Sequence, residues 1–126
     1  MTRVERVEEV IRDEVSKIIR QEVNDPRIGF VSITKVEMSP DLRNANIHVS
    51  IFGDEKQKTE AMDGLRSATR FIRGELGNRV DFRATPEIRF VRDDSLEKGS
   101  RVLNLIRKLK NEEHPIRTNK RTSKKG

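Results

Sequence analysis

The chain has 126 residues, of which 33% are hydrophobic and 38% are charged, and its mean hydropathy is −0.78. This length supports one domain with a compact core, and no apolar run approaches the roughly 20 residues of a membrane-spanning helix. The sequence has no cysteine and only two histidines, which excludes disulfides, thiolate nucleophiles and cysteine-based zinc sites. Because the first residues turn acidic where a signal peptide would turn apolar, we expect a cytoplasmic protein. We also expect no cofactor.

The basic residues are concentrated in the second half of the chain. The net charge is +6, from 27 basic and 21 acidic side chains. Residues 1–55 carry 8 basic and 11 acidic side chains, whereas residues 56–126 carry 19 and 10. Arginine outnumbers lysine by 17 to 10, and the planar guanidinium suits forked recognition of phosphate. The second half is therefore the candidate surface for a polyanionic partner.

The first predicted element is an amphipathic helix. Thr2 and Glu5 have the spacing of a capping box, and the apolar residues that follow fall within an arc of roughly 120° at helical periodicity. The sequence Asn24-Asp25-Pro26-Arg27 should end this helix, because proline supplies no N–H group and disfavours helix in the preceding residue. We interpret this loop as a helix stop with a capping network.

Two strands should follow as a β-hairpin. Residues 30–36 are rich in β-branched side chains, and residues 44–52 alternate apolar and polar positions. Ser39 and Pro40 between them occupy favoured positions of a type I turn. His48 falls on the polar side of the second strand, which argues against a role as a catalytic base.

The next predicted helix begins near Lys58 and carries two faces. Its apolar residues fall within an arc of roughly 80°, and Arg66, Arg70 and Arg73 occupy a separate arc of roughly 60°.

Gly77-Asn78 should stop the helix, and Pro86 should open a strand over residues 87–92. A last amphipathic helix is expected around residues 102–109. Residues 111–126 hold five basic and two acidic side chains, and we expect a disordered basic tail, either a solubilising end or an arm that binds nucleic acid.

No catalytic constellation is present. The sequence contains no phosphate-binding glycine loop, no H-E-x-x-H and no G-x-S-x-G, so an enzyme is not expected. The five phenylalanines lie mostly among apolar residues and are expected in the core, which argues against a base-stacking platform. The residues instead favour arginines that bind phosphate on structured nucleic acid.

Several short motifs in a fixed order resemble the ribosome-binding factor A family from about residue 3 to residue 110. They include Asp25-Pro26-Arg27, Ser39-Pro40-Asp41-Leu42, the sequence from Phe71 to Gly77, that from Thr85 to Phe90, and Gly99-Ser100-Arg101-Val102. The resemblance implies an α+β fold, a type II K-homology-like domain (helix, strand, strand, kinked helix, strand) over residues 1–110 with an added C-terminal helix. It implies a monomeric, non-catalytic assembly factor that binds the free small (30S) ribosomal subunit and its 16S ribosomal RNA, and assists late maturation and processing of that RNA. An assembly GTPase is a further candidate partner. For the Asp25-Pro26-Arg27 loop, contact with RNA or a ribosomal protein is the alternative to the helix stop.

The family pattern also locates a kink in the long helix. An A-x-G sequence replaces the usual G-x-x-G loop in this family, and it corresponds here to Ala68-Thr69-Arg70, with arginine in the glycine position. A literal G-x-x-G occurs at Gly74-Glu75-Leu76-Gly77. We do not interpret it as a nucleotide clamp, because too few residues separate Gly77 from Pro86 for a second helix.

The predicted RNA-binding surface is the pair of helices on either side of Ala68 and its surroundings. Its residues are Arg66, Ala68, Arg70, Arg73, Arg79, Arg83, Lys98 and Arg101. These would contact phosphates and position the protein, leaving the bases unread. Two other functions remain open: a general binder of structured RNA without ribosomal specificity, and a protein-interaction module whose charge only tunes solubility.

Overall fold

The computed structural model describes residues 1–95 and contains two helices and a three-stranded sheet. The elements are α1 (Arg3–Gln21), β1 (Val31–Met38), β2 (Asn44–Ile51), α2 (Glu55–Arg79) and β3 (Glu87–Arg92). The predicted order of helix, strand, strand, long helix and strand is therefore confirmed. The predicted last helix, the tail and the domain boundary at residue 110 lie outside the described residues. Neither α1 nor α2 is long and apolar enough to span a membrane.

Helix α1 forms as its sequence predicts. The Thr2 hydroxyl accepts a hydrogen bond from the Glu5 backbone N–H at 3.1 Å, and the Glu5 carboxylate accepts one from the Thr2 N–H at 2.9 Å. This capping box satisfies two N–H groups that the first turn cannot satisfy within the helix. The face that carries Ile11, Val15 and Ile18 is fully buried, so α1 supplies one wall of the core.

Strands β1 and β2 form the predicted antiparallel hairpin, with Val31 opposite Ile51 and Met38 opposite Ala45. The Leu42 N–H donates to the Ser39 carbonyl at 2.9 Å, which closes the turn that Ser39 and Pro40 predict. Leu42 itself has a positive φ of 61°, a conformation that costs a residue with a Cβ about 1 kcal/mol. Its side chain packs against the core, and this packing offsets the cost.

Strand β3 pairs with β2 in parallel, so β2 is the central strand in the order β1-β2-β3. A parallel neighbour requires a crossover, and α2 supplies it. Alternate residues of β2, from Ala45 to Ile51, are buried, as are Ile88 and Phe90 of β3. The core therefore lies between one face of the sheet and the two helices.

Helix α2 is a single helix of 25 residues. It starts earlier than predicted, because the Asp54 side chain caps it through a second capping box with Gln57. The predicted break at Ala68-Thr69-Arg70 was wrong: the helix continues through these residues, since arginine at position 70 favours helix where glycine would not. The Thr69 hydroxyl donates to the Leu65 carbonyl at 2.9 Å, so it adds a bond within the helix.

The predicted stop at Gly77-Asn78 was also wrong, because α2 ends only at Arg79 and Val80 caps it in an extended conformation. Gly77 has a different use. A Cβ at this position would lie 2.7 Å from the Thr85 hydroxyl, so glycine allows the chain before β3 to approach the helix. Gly74, one turn earlier, faces open space, with nothing within 4 Å of an added Cβ.

The two helical glycines should therefore respond in opposite ways to alanine. Gly74→Ala should raise the free energy of unfolding by up to about 1 kcal/mol, because alanine favours helix and meets no neighbour here. Gly77→Ala gains the same propensity but must displace the stiff, β-branched Thr85 side chain, so we expect it to lower stability. Urea unfolding of both variants measures the difference. Equal gains in stability would contradict the close approach at Gly77.

Candidate nucleic-acid interface

The exposed side of helix α2 carries three of the predicted arginines. Arg66, Arg70 and Arg73 follow one another at spacings of four and three residues, so they lie on one side of the helix. Arg66 is 64% exposed and lies 3.7 Å from the Asp63 carboxylate. Arg70 is exposed and forms no hydrogen bond or ion pair with any residue that the structure describes. These two side chains are available to bind a phosphate.

A groove lies between the second half of α2 and the loop that leads to β3. Its volume is about 500 Å³. The residues that line it are Arg70, Arg73, Gly74, Gly77, Asn78, Ala84 and Thr85. Both charged residues in this lining are arginines, and Gly74 leaves the helix backbone open, with nothing within 4 Å of an added Cβ. The lining therefore favours an anionic ligand that approaches the backbone closely.

Arg73 shapes this groove as well as charging it. Its guanidinium donates to the Pro86 carbonyl at 2.9 Å and to the Thr85 carbonyl at 2.8 Å. It also lies 3.3 Å from the Glu87 carboxylate. The loop is thereby held against α2 immediately before β3 begins. Because its N–H groups already bind carbonyls, Arg73 serves the groove mainly as a support that carries a positive charge.

Arg79 and Ala68 are placed away from the groove. Arg79 lies nine residues after Arg70, which puts it on the opposite side of α2. Its guanidinium is 3.6 Å from the Glu14 carboxylate and 3.4 Å from that of Glu22. It therefore joins α2 to α1 and to the residue that caps α1. Ala68 is partly buried against the core. The Arg79 guanidinium therefore already has two carboxylate neighbours, and the contact of these two residues with RNA stays a prediction.

Of the other predicted contacts, Arg83 is exposed in the loop after α2, next to Ala84 of the groove. Lys98 and Arg101 lie outside the described residues. The structure thus brings Arg66, Arg70 and Arg73 together and leaves Arg83 near them. Sequence reasoning missed Asn78 and Thr85 as lining residues. Only the distance of the loop from the helix reveals them, and that distance depends on Gly77.

The Asp25-Pro26-Arg27 loop forms a local network but not the predicted cap of α1, because α1 ends at Gln21 and Glu22 caps it. The Asp25 carboxylate accepts from the Arg27 backbone N–H at 2.9 Å and from its guanidinium at 3.1 and 2.7 Å. These hydrogen bonds, with the guanidinium foremost, lower the pKa of Asp25 to about 2. The loop packs on α2 at Gly64, where an added Cβ would lie 2.8 Å from the Ile28 side chain. It therefore anchors the chain between α1 and β1.

His48 is placed on the sheet face opposite the core, as its position in the alternation predicts. Its Nε2 lies 2.7 Å from the Glu37 carboxylate, and this hydrogen bond is the main cause of a lowered pKa of Glu37. Within residues 1–95, no three His, Cys, Asp or Glu side chains are grouped so that they could hold a metal ion. The His48–Glu37 pair forms a surface contact that joins β1 and β2.

The phenylalanines differ from the prediction. Phe90 is buried and Phe82 packs against the core, but Phe30, Phe52 and Phe71 are 73%, 80% and 46% exposed. Phe30 and Phe52 lie at the end of the hairpin, beyond the last core pair, and Phe71 lies on the outer side of α2. The prediction that most phenylalanines are buried was therefore wrong, since position along an element decides burial as much as residue type does.

The comparisons with known proteins by sequence and by structure point to the same family. A sequence model described as ribosome-binding factor A matches residues 3–106. The ribosome-binding factor A of Halothermothrix orenii is 51% identical over 115 residues, which are 91% of this chain and 94% of that protein. The crystal structure of ribosome-binding factor A from Thermus thermophilus has a TM-score of 0.64 at 24% identity, covering 72% of this chain and 97% of its own.

A second structural match has a TM-score of 0.54 at 23% identity, covering 72% of this chain and 91% of its own. It is a homology model of the Thermus thermophilus factor, fitted into a cryo-EM map of a complex of that factor with the 30S subunit. The two structural matches support the α+β fold of residues 1–95.

Substitution of the two groove arginines should change the free energy of unfolding by different amounts. Arg73→Gln removes hydrogen bonds to two backbone carbonyls, and we expect it to lower the free energy of unfolding by about 1–2 kcal/mol. Arg70→Gln removes an exposed side chain without a partner in residues 1–95 and should change stability by no more than about 0.5 kcal/mol. Urea titrations of both variants test this. Equal effects on stability would contradict the supporting role of Arg73.

The Asp25–Arg27 pair should make the free energy of unfolding depend on pH in the acidic range. The pKa of Asp25 is lower in the folded chain than its ordinary value of 3.8, so the pair stabilises the fold above about pH 4 and loses this effect as the pH falls towards 2. The stability difference between the wild type and Asp25→Asn should therefore shrink over this range. Urea midpoints at pH 6, 4 and 3 measure it, and Arg27→Gln should behave alike. A difference that stays constant with pH would contradict the prediction.

Proposed function

The chain belongs to the ribosome-binding factor A family, and on this premise we propose that it binds the free small (30S) ribosomal subunit through its 16S ribosomal RNA. We propose further that it assists late maturation and processing of that RNA without catalysing a reaction. The observation that carries the proposal is the groove beside α2, whose charged lining residues are both arginines. Such a surface binds folded RNA through phosphates.

The arginines would have two roles, direct contact with phosphates and support of the loop that leads to β3. Arg66 and Arg70 project from α2 and would bind phosphates directly, and Arg83 would extend this contact from the loop. Arg73 would keep the loop in place and add its charge to the groove. Lys98 and Arg101 complete the proposed footprint. If about five phosphates are neutralised, the logarithm of the binding constant should fall with the logarithm of salt concentration at a slope of roughly −4.5.

The proposal includes finer features that the family resemblance implies. The fold would be a K-homology-like domain of the second type, and the helix, strand, strand, helix, strand order supports this. The uninterrupted α2 differs from the kinked helix of that pattern. The protein would act as a cytoplasmic monomer, and an assembly GTPase would be a further partner.

A second candidate is a general binder of structured RNA. One observation favours it: the groove is lined by arginine, glycine, alanine, asparagine and threonine, without an aromatic side chain on which a base could stack. Phosphate contacts of this kind carry no sequence information. Specificity for the ribosomal subunit would then have to come from the shape of the RNA or from contacts elsewhere on the protein.

Co-sedimentation tests the proposal and its alternative together. The protein would be centrifuged through sucrose gradients with isolated small subunits, with assembled ribosomes and with an unrelated folded RNA at near-physiological salt. We expect co-migration with the free small subunit alone. Equal binding to all three would favour the general RNA binder, and binding to none would contradict both functions.

Reversal of charge at Arg70 tests the surface itself. Arg70→Glu should weaken binding to the small subunit about tenfold or more, because it removes one phosphate contact and adds repulsion. Arg12→Glu makes the same change in net charge on the exposed side of α1 and should leave the affinity nearly unchanged. Dissociation constants of both variants, with folding checked by circular dichroism, give the comparison. Equal losses in both variants would show that net charge alone drives binding.

A further inference from the structure

The outer side of α2 carries an exposed phenylalanine next to the exposed Arg70. Phe71 is 46% exposed, and it belongs neither to the core nor to the residues packed against the core. Arg70 directly precedes it and lies about 100° away around the helix. A single exposed apolar side chain is ordinary on a protein surface. The residues around Phe71 therefore decide whether another molecule can use its ring.

Gly74 leaves a bare area between these two side chains. It follows Arg70 by four residues and Phe71 by three, so it neighbours both on the helix surface. Helical side chains lean towards the N-terminus, and a side chain at position 74 would therefore cover the area between Arg70 and Phe71. Nothing lies within 4 Å of a Cβ added at this position. A ligand can thus reach the helix surface between a cation and an aromatic ring.

Asn78 borders the same area one turn further along the helix. It follows Gly74 by four residues and lines the groove. Its side-chain amide, which can both donate and accept, forms no hydrogen bond with any part of residues 1–95. A cation, a ring and an amide therefore surround one open area at the edge of the groove. We call it the Gly74 site, and its residues are Arg70, Phe71, Gly74 and Asn78.

The charge at the Gly74 site favours an anion. Residues 67–79 carry three arginines and one carboxylate. Arg73 already binds two carbonyls, and Arg79 lies beside two carboxylates, which leaves the Arg70 guanidinium to bind a phosphate. The carboxylate belongs to Glu75, which lies about 140° around the helix from Arg70. Glu75 is therefore on the far side of Phe71 from the phosphate position.

We propose that the Gly74 site binds one unpaired nucleotide of RNA. The phosphate would bind Arg70, and the ribose would lie over Gly74. The base would stack on the Phe71 ring and place its edge at the Asn78 amide. The Gly74 site rests on the proposed function, because both use Arg70, and it adds the recognition of an unpaired base, which phosphate contacts alone do not provide.

An acidic protein segment is the other ligand that brings a negative charge next to an apolar group. A nucleotide fits the Gly74 site better, because its three parts match the three groups present. Its phosphate matches the guanidinium, the flat face of its base matches the ring, and the donors and acceptors on the edge of the base match the amide. A base inside a duplex offers no free face, so the site should distinguish single strands from duplexes.

Substitution of Phe71 tests the stacking. Phe71→Ala should lower the affinity for a single-stranded oligoribonucleotide about tenfold and leave the affinity for a blunt-ended RNA duplex unchanged. Phe71→Tyr keeps the aromatic ring and should bind both RNAs as the wild type does. Phe52→Ala is the matched control, because it removes a more exposed ring that lies outside α2, and it should change neither affinity. An equal loss with both RNAs, or no loss with the single strand, would overturn the inference.

A tryptophan at position 71 reports the contact directly. The chain contains no tryptophan or tyrosine, so Phe71→Trp introduces a single strong fluorophore. A base that stacks on the indole should quench its emission. We expect quenching by the single-stranded RNA, but not by the duplex or by polyphosphate, which has no bases. Equal quenching by polyphosphate, quenching by a glutamate-leucine peptide instead of the RNA, or no quenching at saturating RNA would each overturn the inference.

Gly74→Leu tests the open area and leaves Arg70 and Phe71 in place. Leucine favours helix, so the variant should be at least as stable as the wild type in urea. Its side chain would cover the area, and we expect the affinity for the single strand to fall about fivefold or more. An unchanged affinity would overturn the Gly74 site alone. Failure of the wild type to co-sediment with small subunits would contradict the proposed function but leave these oligonucleotide results standing.

Discussion

The arrangement of the second half of the domain depends on how the guanidinium of Arg73 holds the chain at Thr85 and Pro86. A parallel strand must return to the sheet after a long crossover, and nothing in a 25-residue helix fixes where that return begins. Arg73 binds the two carbonyls immediately before β3, and Gly77 leaves the space for Thr85 to approach. The same two features create the groove between the helix and the loop, so the site follows from the way the fold is closed.

The elements set by local signals were predictable. The capping box of α1, the turn at Ser39-Pro40 and the alternation of β2 each specify their structure within a few residues, and each was formed. The end of α2 was not predictable, because Gly77 stops a helix by propensity yet serves here in a contact with Thr85, which lies eight residues further on. The helix is also continuous at Arg70, because arginine favours helix where the glycine of the family pattern would not.

The sequence predicted which side of α2 carries the candidate site, but not the role of each residue in it. Helical spacing correctly placed Arg66, Arg70 and Arg73 on one side. Spacing cannot show that Arg73 binds carbonyls or that Arg79 faces carboxylates of α1 and its cap, because these partners belong to other elements. The exposed Phe30 and Phe52 were missed for a different reason. Continuing the alternation of β2 by one residue places Phe52 on the outer face, but residue type favoured burial, and only the ladder shows that Phe30 lies beside it.

The excess positive charge of α2 lies in its second half. Residues 55–66 carry three carboxylates and three cations, whereas residues 67–79 carry three arginines and one carboxylate. Arginine near the C-terminus of a helix also offsets the negative end of the helix dipole, which would otherwise repel an anion. This end of the helix can therefore hold phosphate. Specificity for one RNA would have to come from its shape, because phosphate contacts by themselves carry no sequence information.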